Sequence, residues 1–203
     1  MVDYFKMTGV KRYETPIHDN HEDLEKKYWK ELGSTHPPIY GCDVACALSD
    51  PDLREWNIPK LGTILDMVNS ELDQEWQGVN TPYLYFGMWK ATFSWHVEDM
   101  DLYGINMVHY GAPKTWYCVP PKYGHKLEKL CKELFPHLAA FCSNFMRHKT
   151  CMVAPHVLEQ YGIPCQKMVQ QAREIIIVFP YAYHSGFNHG FNIAESTNFA
   201  TPR

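Results

Sequence analysis

His96 and Glu98 stand two positions apart at the end of an alternating aromatic and polar run, Thr92-Phe-Ser-Trp-His-Val-Glu98. That alternation predicts a half-buried strand, and residues two apart on a strand share a face. An imidazole and a carboxylate side by side make up most of a 2-His-1-carboxylate triad, which holds Fe(II) by one face and leaves the opposite positions open. On its own such a pair is ordinary, since a strand histidine is more often a hydrogen-bonded structural group. The third ligand must come from far along the chain. Phe179-Pro-Tyr-Ala-Tyr-His184-Ser-Gly-Phe-Asn-His189 offers two candidates, His184 and His189, and spacing leaves both open. Cys142 and His148, six positions apart, are also metal-ligand types. Tyr40 reads locally as a loop aromatic and Lys114 as a solvated charge.

The elements that position these groups follow from pattern. Asp19 or Asn20 can cap a helix with Glu22 and Asp23 in its first turn, carrying Leu24, Tyr28 and Leu32 inward and ending at Gly33. His36-Pro-Pro-Ile-Tyr40 cannot be helical. A second helix is predicted over Pro59 to Ser70, with Leu61, Ile64, Leu65 and Val68 inward. Strands are expected over Tyr83–Met88, Thr92–Val97, Gly104–Tyr110 and Thr115–Val119, with Gly111-Ala-Pro-Lys114 as a hairpin turn between the last two. Helices are expected over Lys122–Phe135, with Leu127, Leu130 and Leu134 on one face, and over Pro155–Gln160. A buried strand at Ile175–Phe179, a glycine-rich turn around Gly186 and Gly190 and a strand through Phe191–Ala194 complete the chain. Many short strands with a helical insert predict a mainly β fold with helical decoration, a cupin-like double-stranded β-helix. Residues 1–75 would form a helical and linker region, led by a mixed stretch over 1–17, that packs on a core over 76–203. The insert would lie at about 121–165, all within a single domain.

The 203 residues fit one large domain. A hydrophobic content of 45% and a charged content of 21% are those of a globular protein. A net charge of -4 argues against a general nucleic-acid clamp. No apolar run reaches membrane-spanning length. Seven scattered cysteines, without a secretory signal, read as reduced thiols of the cytosol or nucleus.

Four stretches carry a resemblance: Asn80-Thr-Pro-Tyr-Leu-Tyr-Phe-Gly-Met-Trp89, Trp95-His-Val-Glu-Asp-Met-Asp-Leu-Tyr103, Phe179 through Asn192, and Ala194-Glu-Ser-Thr-Asn-Phe-Ala200. Together they closely resemble the JmjC domain of histone lysine demethylases, of the fourth lysine-demethylase subfamily, over nearly all of residues 10 to 200. The resemblance implies Fe(II) held by His96, Glu98 and His184, with His189 matching no ligand. It implies 2-oxoglutarate held at its distal carboxylate by Tyr40 and Lys114, with Phe93, Asn106 and Trp116 in the same pocket. A methylammonium pocket would be built from Gly78, Tyr83, Tyr85, Glu98, Ser196 and Asn198. The implied reaction is oxidative removal of methyl groups from tri- and dimethyl-lysine of a histone tail, at lysine nine or lysine thirty-six, releasing formaldehyde and succinate. The implied partners are a methylated histone tail and chromatin, in the nucleus, with neither sequence-specific nucleic-acid binding nor a membrane.

The same resemblance gives Cys142 and His148 as half of a structural zinc site. The other two ligands would be a Cys-x-Cys pair beyond Arg203, unless the zinc is absent or Cys151 or Cys165 substitutes, and a JmjN segment would precede the core. The chain is therefore expected to be a fragment. Two rival readings keep the fold. A protein hydroxylase would leave a stable hydroxyl on its target, and a catalytically dead chromatin-binding module would lack a ligand or the lysine that His96, Glu98, His184, Tyr40 and Lys114 here supply.

Overall fold

The computed structural model describes residues 13–33, 36–72 and 76–202; most of the lead-in over 1–17 lies outside them. The first helix, α1 (His21–Glu31), is capped by Asn20, whose side chain accepts from the Asp23 amide. It buries Leu24 and Tyr28 completely, while Leu32 caps its end and stays exposed. The predicted second helix is split. A 3-10 turn at Ile58–Lys60 is separated by Gly62, at φ +69°, from α2 (Ile64–Leu72). Of its expected inner face only Leu65 is buried; Ile64 and Val68 are exposed.

Among the described residues, nine strands form two antiparallel sheets. The first is ordered β1 (Gly41–Ala45), β2 (Tyr83–Gly87), β9 (Asn192–Phe199), β4 (Tyr103–Gly111) and β7 (Ile175–Val178). The second is ordered β3 (Thr92–His96), β8 (Tyr183–Asn188), β5 (Lys114–Val119) and β6 (Gln166–Gln170). Two antiparallel sheets with a few helices are the expected mainly β jelly roll. Three local expectations fail. Gly111 to Lys114 is not a hairpin: β4 pairs with β7 and β9, and β5 with β6 and β8. The segment is a corner that passes between sheets, with Gly111 at φ +99° against the backbone of Phe191. The Ile175 strand is an edge strand rather than a buried one, so Ile177 and Phe179 are exposed. Gly186 lies inside β8, not in a turn. β1 and β6 carry no strong strand pattern and were not expected.

The main apolar core does not lie between the sheets. It covers the outer face of the second sheet, where Trp95, Val97, Tyr117, Val119, Tyr183 and Phe187 meet Leu24 and Tyr28 of α1. Leu127, Leu130 and Cys131 of α3 (Gly124–Leu134) complete it, while Leu134 is exposed. Residues after α3 include α4 (Pro136–Phe141) and α5 (Pro155–Gln160), whose Leu158 joins the same core. The inner apolar cluster is small: Trp116, Val178 and Ala182, packed with Phe93, Cys118 and Ile176. The space between the sheets is left for polar groups.

Gly186 shows how tightly β8 is held. It pairs with Phe93 on one side and Trp116 on the other, and a Cβ there would run into the Thr115 carbonyl and the Phe93 ring. Because the obstacle is partly backbone, relief requires the strands to part. Gly186→Ala is expected to lower unfolding stability by about 2–3 kcal/mol, measured by urea denaturation. A loss under about 0.5 kcal/mol would show that the strands yield freely.

Candidate active site

Pairing of β3 with β8 sets His96 directly opposite His184, and their ring centroids are 4.2 Å apart. Glu98 lies two residues past His96 in extended backbone, φ -63° and ψ 155°, just before a 3-10 turn at Asp99–Asp101. The period-two relation therefore holds beyond the strand end. Its Oε1 is 3.3 Å from His184 Nε2, and one ligand atom from each of the three residues lies within 4.8 Å of the others. Each imidazole is oriented from behind. His96 Nδ1 is 2.7 Å from the Ser94 carbonyl and His184 Nδ1 is 3.0 Å from the Ala182 carbonyl. A carbonyl can only accept, so Nδ1 carries the proton in both rings and Nε2 keeps its lone pair for the centre.

The electrostatics suit a cation. Burial, with His184 alongside, holds the His96 imidazole well below its usual range. Burial alone would raise Glu98, but the adjoining His184 and His96 side chains and a hydrogen bond from Asn198 outweigh it and hold the carboxyl below its usual range. A neutral imidazole and an ionised carboxylate are the states metal binding requires. Asn198 Nδ2 donates to Glu98 Oε2 at 2.9 Å and to the Tyr103 carbonyl at 3.1 Å, which fixes the second carboxylate oxygen.

The triad opens into a cavity of about 360 Å³ between the sheets. Every residue expected for the cosubstrate lines it: Tyr40, Phe93, Asn106, Lys114 and Trp116. So do Gly78, Tyr83, Tyr85, Ser196 and Asn198. The sheet register explains the gathering, since Ser196 is flanked across the ladder by Tyr83 on β2 and Asn106 on β4. Tyr85 donates to Asp43 Oδ1 at 3.2 Å, and burial with Asp43 alongside pushes its phenol upward. Phe93 and Trp116 meet edge to face at 4.8 Å, and Trp116 Nε1 donates to Gln170 Oε1 at 2.8 Å.

Lys114 is the least ordinary of these groups. Its side chain is 1% exposed, and among the described residues no carboxylate pairs with it. Its ammonium donates to Asn188 Oδ1 at 2.6 Å, and burial depresses its pKa to about 7. An unpaired buried ammonium at the wall of a polar cavity is costly unless an anion arrives. That donor set fits a ligand carboxylate.

His189 is held elsewhere. Its Nε2 meets Thr115 Oγ1 at 2.6 Å, its ring stacks on Phe187, and burial lowers its pKa to about 4. Among the described residues, neither Cys142 nor His148 belongs to a group of three or more metal-ligand side chains. Cys142 is half-buried and His148 exposed. Cys151 lies in the apolar core and Cys165 against it, and burial pushes the Cys165 thiol up to about 12. Among the described residues, His96, Glu98 and His184 are the only ligand group of three or more. These residues do not by themselves fit a zinc ion.

Sequence reasoning missed Asp43, Gln77, Asp99 and Lys149, which also line the cavity, and Asn188 behind it. Asp43 and Lys149 adopt positive φ, 58° and 54°, which no local pattern announces. Asn188 was findable, because it shares the inward face of β8 with His184 and Gly186.

A two-sheet roll with a His-carboxylate-His group in its mouth and a buried lysine deeper in defines a non-haem iron oxygenase architecture. Comparison with known proteins narrows the class. The JmjC domain family, described as a hydroxylase, matches residues 83–199, and the chain belongs to this family. Membership implies Fe(II) and 2-oxoglutarate. The chain is 54% identical over 200 residues to "Probable lysine-specific demethylase 4F" of Homo sapiens, covering 98% of this chain and 31% of that protein. It is 53% identical over 201 residues to "Lysine-specific demethylase 4B" of Mus musculus, covering 99% and 18%. It is 54% identical over 200 residues to "Lysine-specific demethylase 4D" of Rattus norvegicus, covering 98% and 39%. The chain thus spans between 18% and 39% of the length of these relatives.

Proposed function

We propose that the chain removes methyl groups oxidatively from tri- and dimethyl-lysine of a histone tail in the nucleus, with lysine nine the first candidate mark and lysine thirty-six the second. The observation that carries this reading is the convergence of the triad, the buried lysine and the oxygen-rich wall of Tyr85, Glu98 and Ser196 on one cavity. His96, Glu98 and His184 would hold the iron through Nε2, a carboxylate oxygen and Nε2. Lys114 and Tyr40 would take the distal carboxylate of 2-oxoglutarate, with Phe93 and Trp116 against its chain and Asn106 beside it. Gly78, Tyr83, Tyr85, Ser196 and Asn198 would receive the methylammonium, whose polarised methyl groups suit oxygen atoms. Iron and 2-oxoglutarate together supply an oxidant derived from O₂, leaving succinate and carbon dioxide. The protein's own part is to orient one methyl group toward the iron and to exclude competing groups. Hydroxylation at that carbon yields formaldehyde and a lysine with one methyl fewer. Because a C–H bond is broken and no nitrogen lone pair is needed, a trimethylated lysine is a competent substrate.

Iron-loaded protein given 2-oxoglutarate and a trimethylated histone-tail peptide is expected to show successive losses of one methylene unit by mass spectrometry. Unchanged peptide with folded, iron-loaded protein overturns the reading; a retained gain of one oxygen makes the chain a protein hydroxylase instead.

Lys114 also sets a pH dependence. A carboxylate favours the charged ammonium, so binding raises a pKa that is about 7 in the free protein. Below that value the lysine is already charged and affinity is flat. Above it each binding event takes up a proton, and the Kd for 2-oxoglutarate should rise about tenfold per pH unit. Anaerobic titrations between about pH 7.5 and about pH 9 read this slope directly; a flat profile would place the distal carboxylate elsewhere.

A further inference from the structure

We infer that Asn188 is a positioning residue for the cosubstrate, whose amide aims the remaining donors of Lys114 at a single carboxylate beside Tyr40. The inference rests on the 2-oxoglutarate reading above. Asn188 ends β8, directly opposite Lys114 on β5, and is completely buried. Its orientation is forced from two sides. Nδ2 lies 3.0 Å from the Ala91 carbonyl, which can only accept. Oδ1 lies 2.9 Å from Asn192 Nδ2, which can only donate and which is itself fixed on the Ala112 carbonyl at 3.0 Å. The amide therefore cannot flip.

With that orientation fixed, the other valences follow. Oδ1 has one lone pair left and takes the Lys114 ammonium at 2.6 Å. Tyr40 lines the same cavity as Lys114, whose ammonium lies 5.8 Å from the centre of the Tyr40 ring. Among the described residues nothing accepts the other N–H groups of the Lys114 ammonium. Held at one corner by Asn188, the ammonium keeps those donors for the cavity beside the Tyr40 hydroxyl, a pattern that a carboxylate satisfies and a neutral end group does not.

Asn188→Asp tests this with almost no change in volume. The new carboxylate would pair with the ammonium and compete with the ligand for it. The KM for 2-oxoglutarate is expected to rise by about fiftyfold or more, with kcat at saturation within about threefold of wild type. Binding of a 2-oxo acid that lacks the distal carboxylate should be unchanged. A merely structural role would weaken both acids alike, or would lower stability and leave the KM of the folded protein intact; either result overturns the inference. Should Asn188→Asp not fold, Asn188→Ser carries the same comparison without adding charge. A wild-type protein with no saturable response to 2-oxoglutarate removes the cosubstrate reading and this inference together, whereas a normal KM in the variants removes this inference alone.

Discussion

Glu98→Ala should abolish demethylation while leaving the chain folded. Glu98 supplies the only negative charge of the triad, and without it two neutral imidazoles remain to hold a dication. Losing the fixed metal forfeits several kcal/mol of barrier lowering, which is at least about a thousandfold in rate. The fold has little reason to follow. Asn198 loses one acceptor but keeps the Tyr103 carbonyl, and Glu98 lies outside the apolar core on the other face of the second sheet. Turnover by mass spectrometry and Fe(II) affinity should collapse together, with circular dichroism and the unfolding midpoint close to wild type. Turnover within about tenfold of wild type would show that the triad is wrongly drawn.

Lys114→Met should move stability and cosubstrate binding in opposite directions. Methionine fills the volume without a charge to desolvate, and Asn188 Oδ1 stays satisfied by Asn192. Replacing a buried charge in this way is often stabilising by about 1–4 kcal/mol. The sign depends on pH. Above the ordinary lysine value of 10.5 the side chain is neutral in both folded and unfolded states, so methionine gains little there. As pH falls the unfolded chain takes up a proton that the folded one resists, and the gain grows until about pH 7, where the folded lysine also charges. Truncating the partner of a buried carboxylate should meanwhile cost about 2–5 kcal/mol of 2-oxoglutarate affinity. Denaturation and titration on one preparation test both; a variant less stable at pH 7 would mean that the ammonium is compensated in the free protein.

How much of this was legible depended on whether the signal was local. His96 and Glu98 share a face because of period two, and that could be read before any fold was known. The choice between His184 and His189 was not legible in this way, because it turns on where the strand ends: His184 lies on β8 and His189 just past it. That end was hidden because Gly186 suggested a turn, whereas β8 runs unbroken through Asn188. The Gly111 corner misled for a related reason: glycine and proline mark a change of direction but do not say which strands pair afterwards. Tyr40 and Lys114 gave no local hint. A lysine is recognised as functional by its burial, and burial here depends on Asn188, 74 residues away.

The placement of the apolar core has a broader consequence. In this chain the residues that keep the protein folded and those that would select its ligands lie on opposite sides of the same strands. Tyr183 and Phe187 point to the core, and His184, Gly186 and Asn188 to the cavity, in strict alternation along β8. Inward positions can therefore exchange polar groups, and with them specificity, without disturbing the hydrophobic support behind. Among chains that share this backbone, substitutions in α1 and α3 should accordingly change thermal robustness and leave ligand preference alone, whereas substitutions on the inner strand faces change ligand preference and, as at Lys114 and Gly186, can move stability as well.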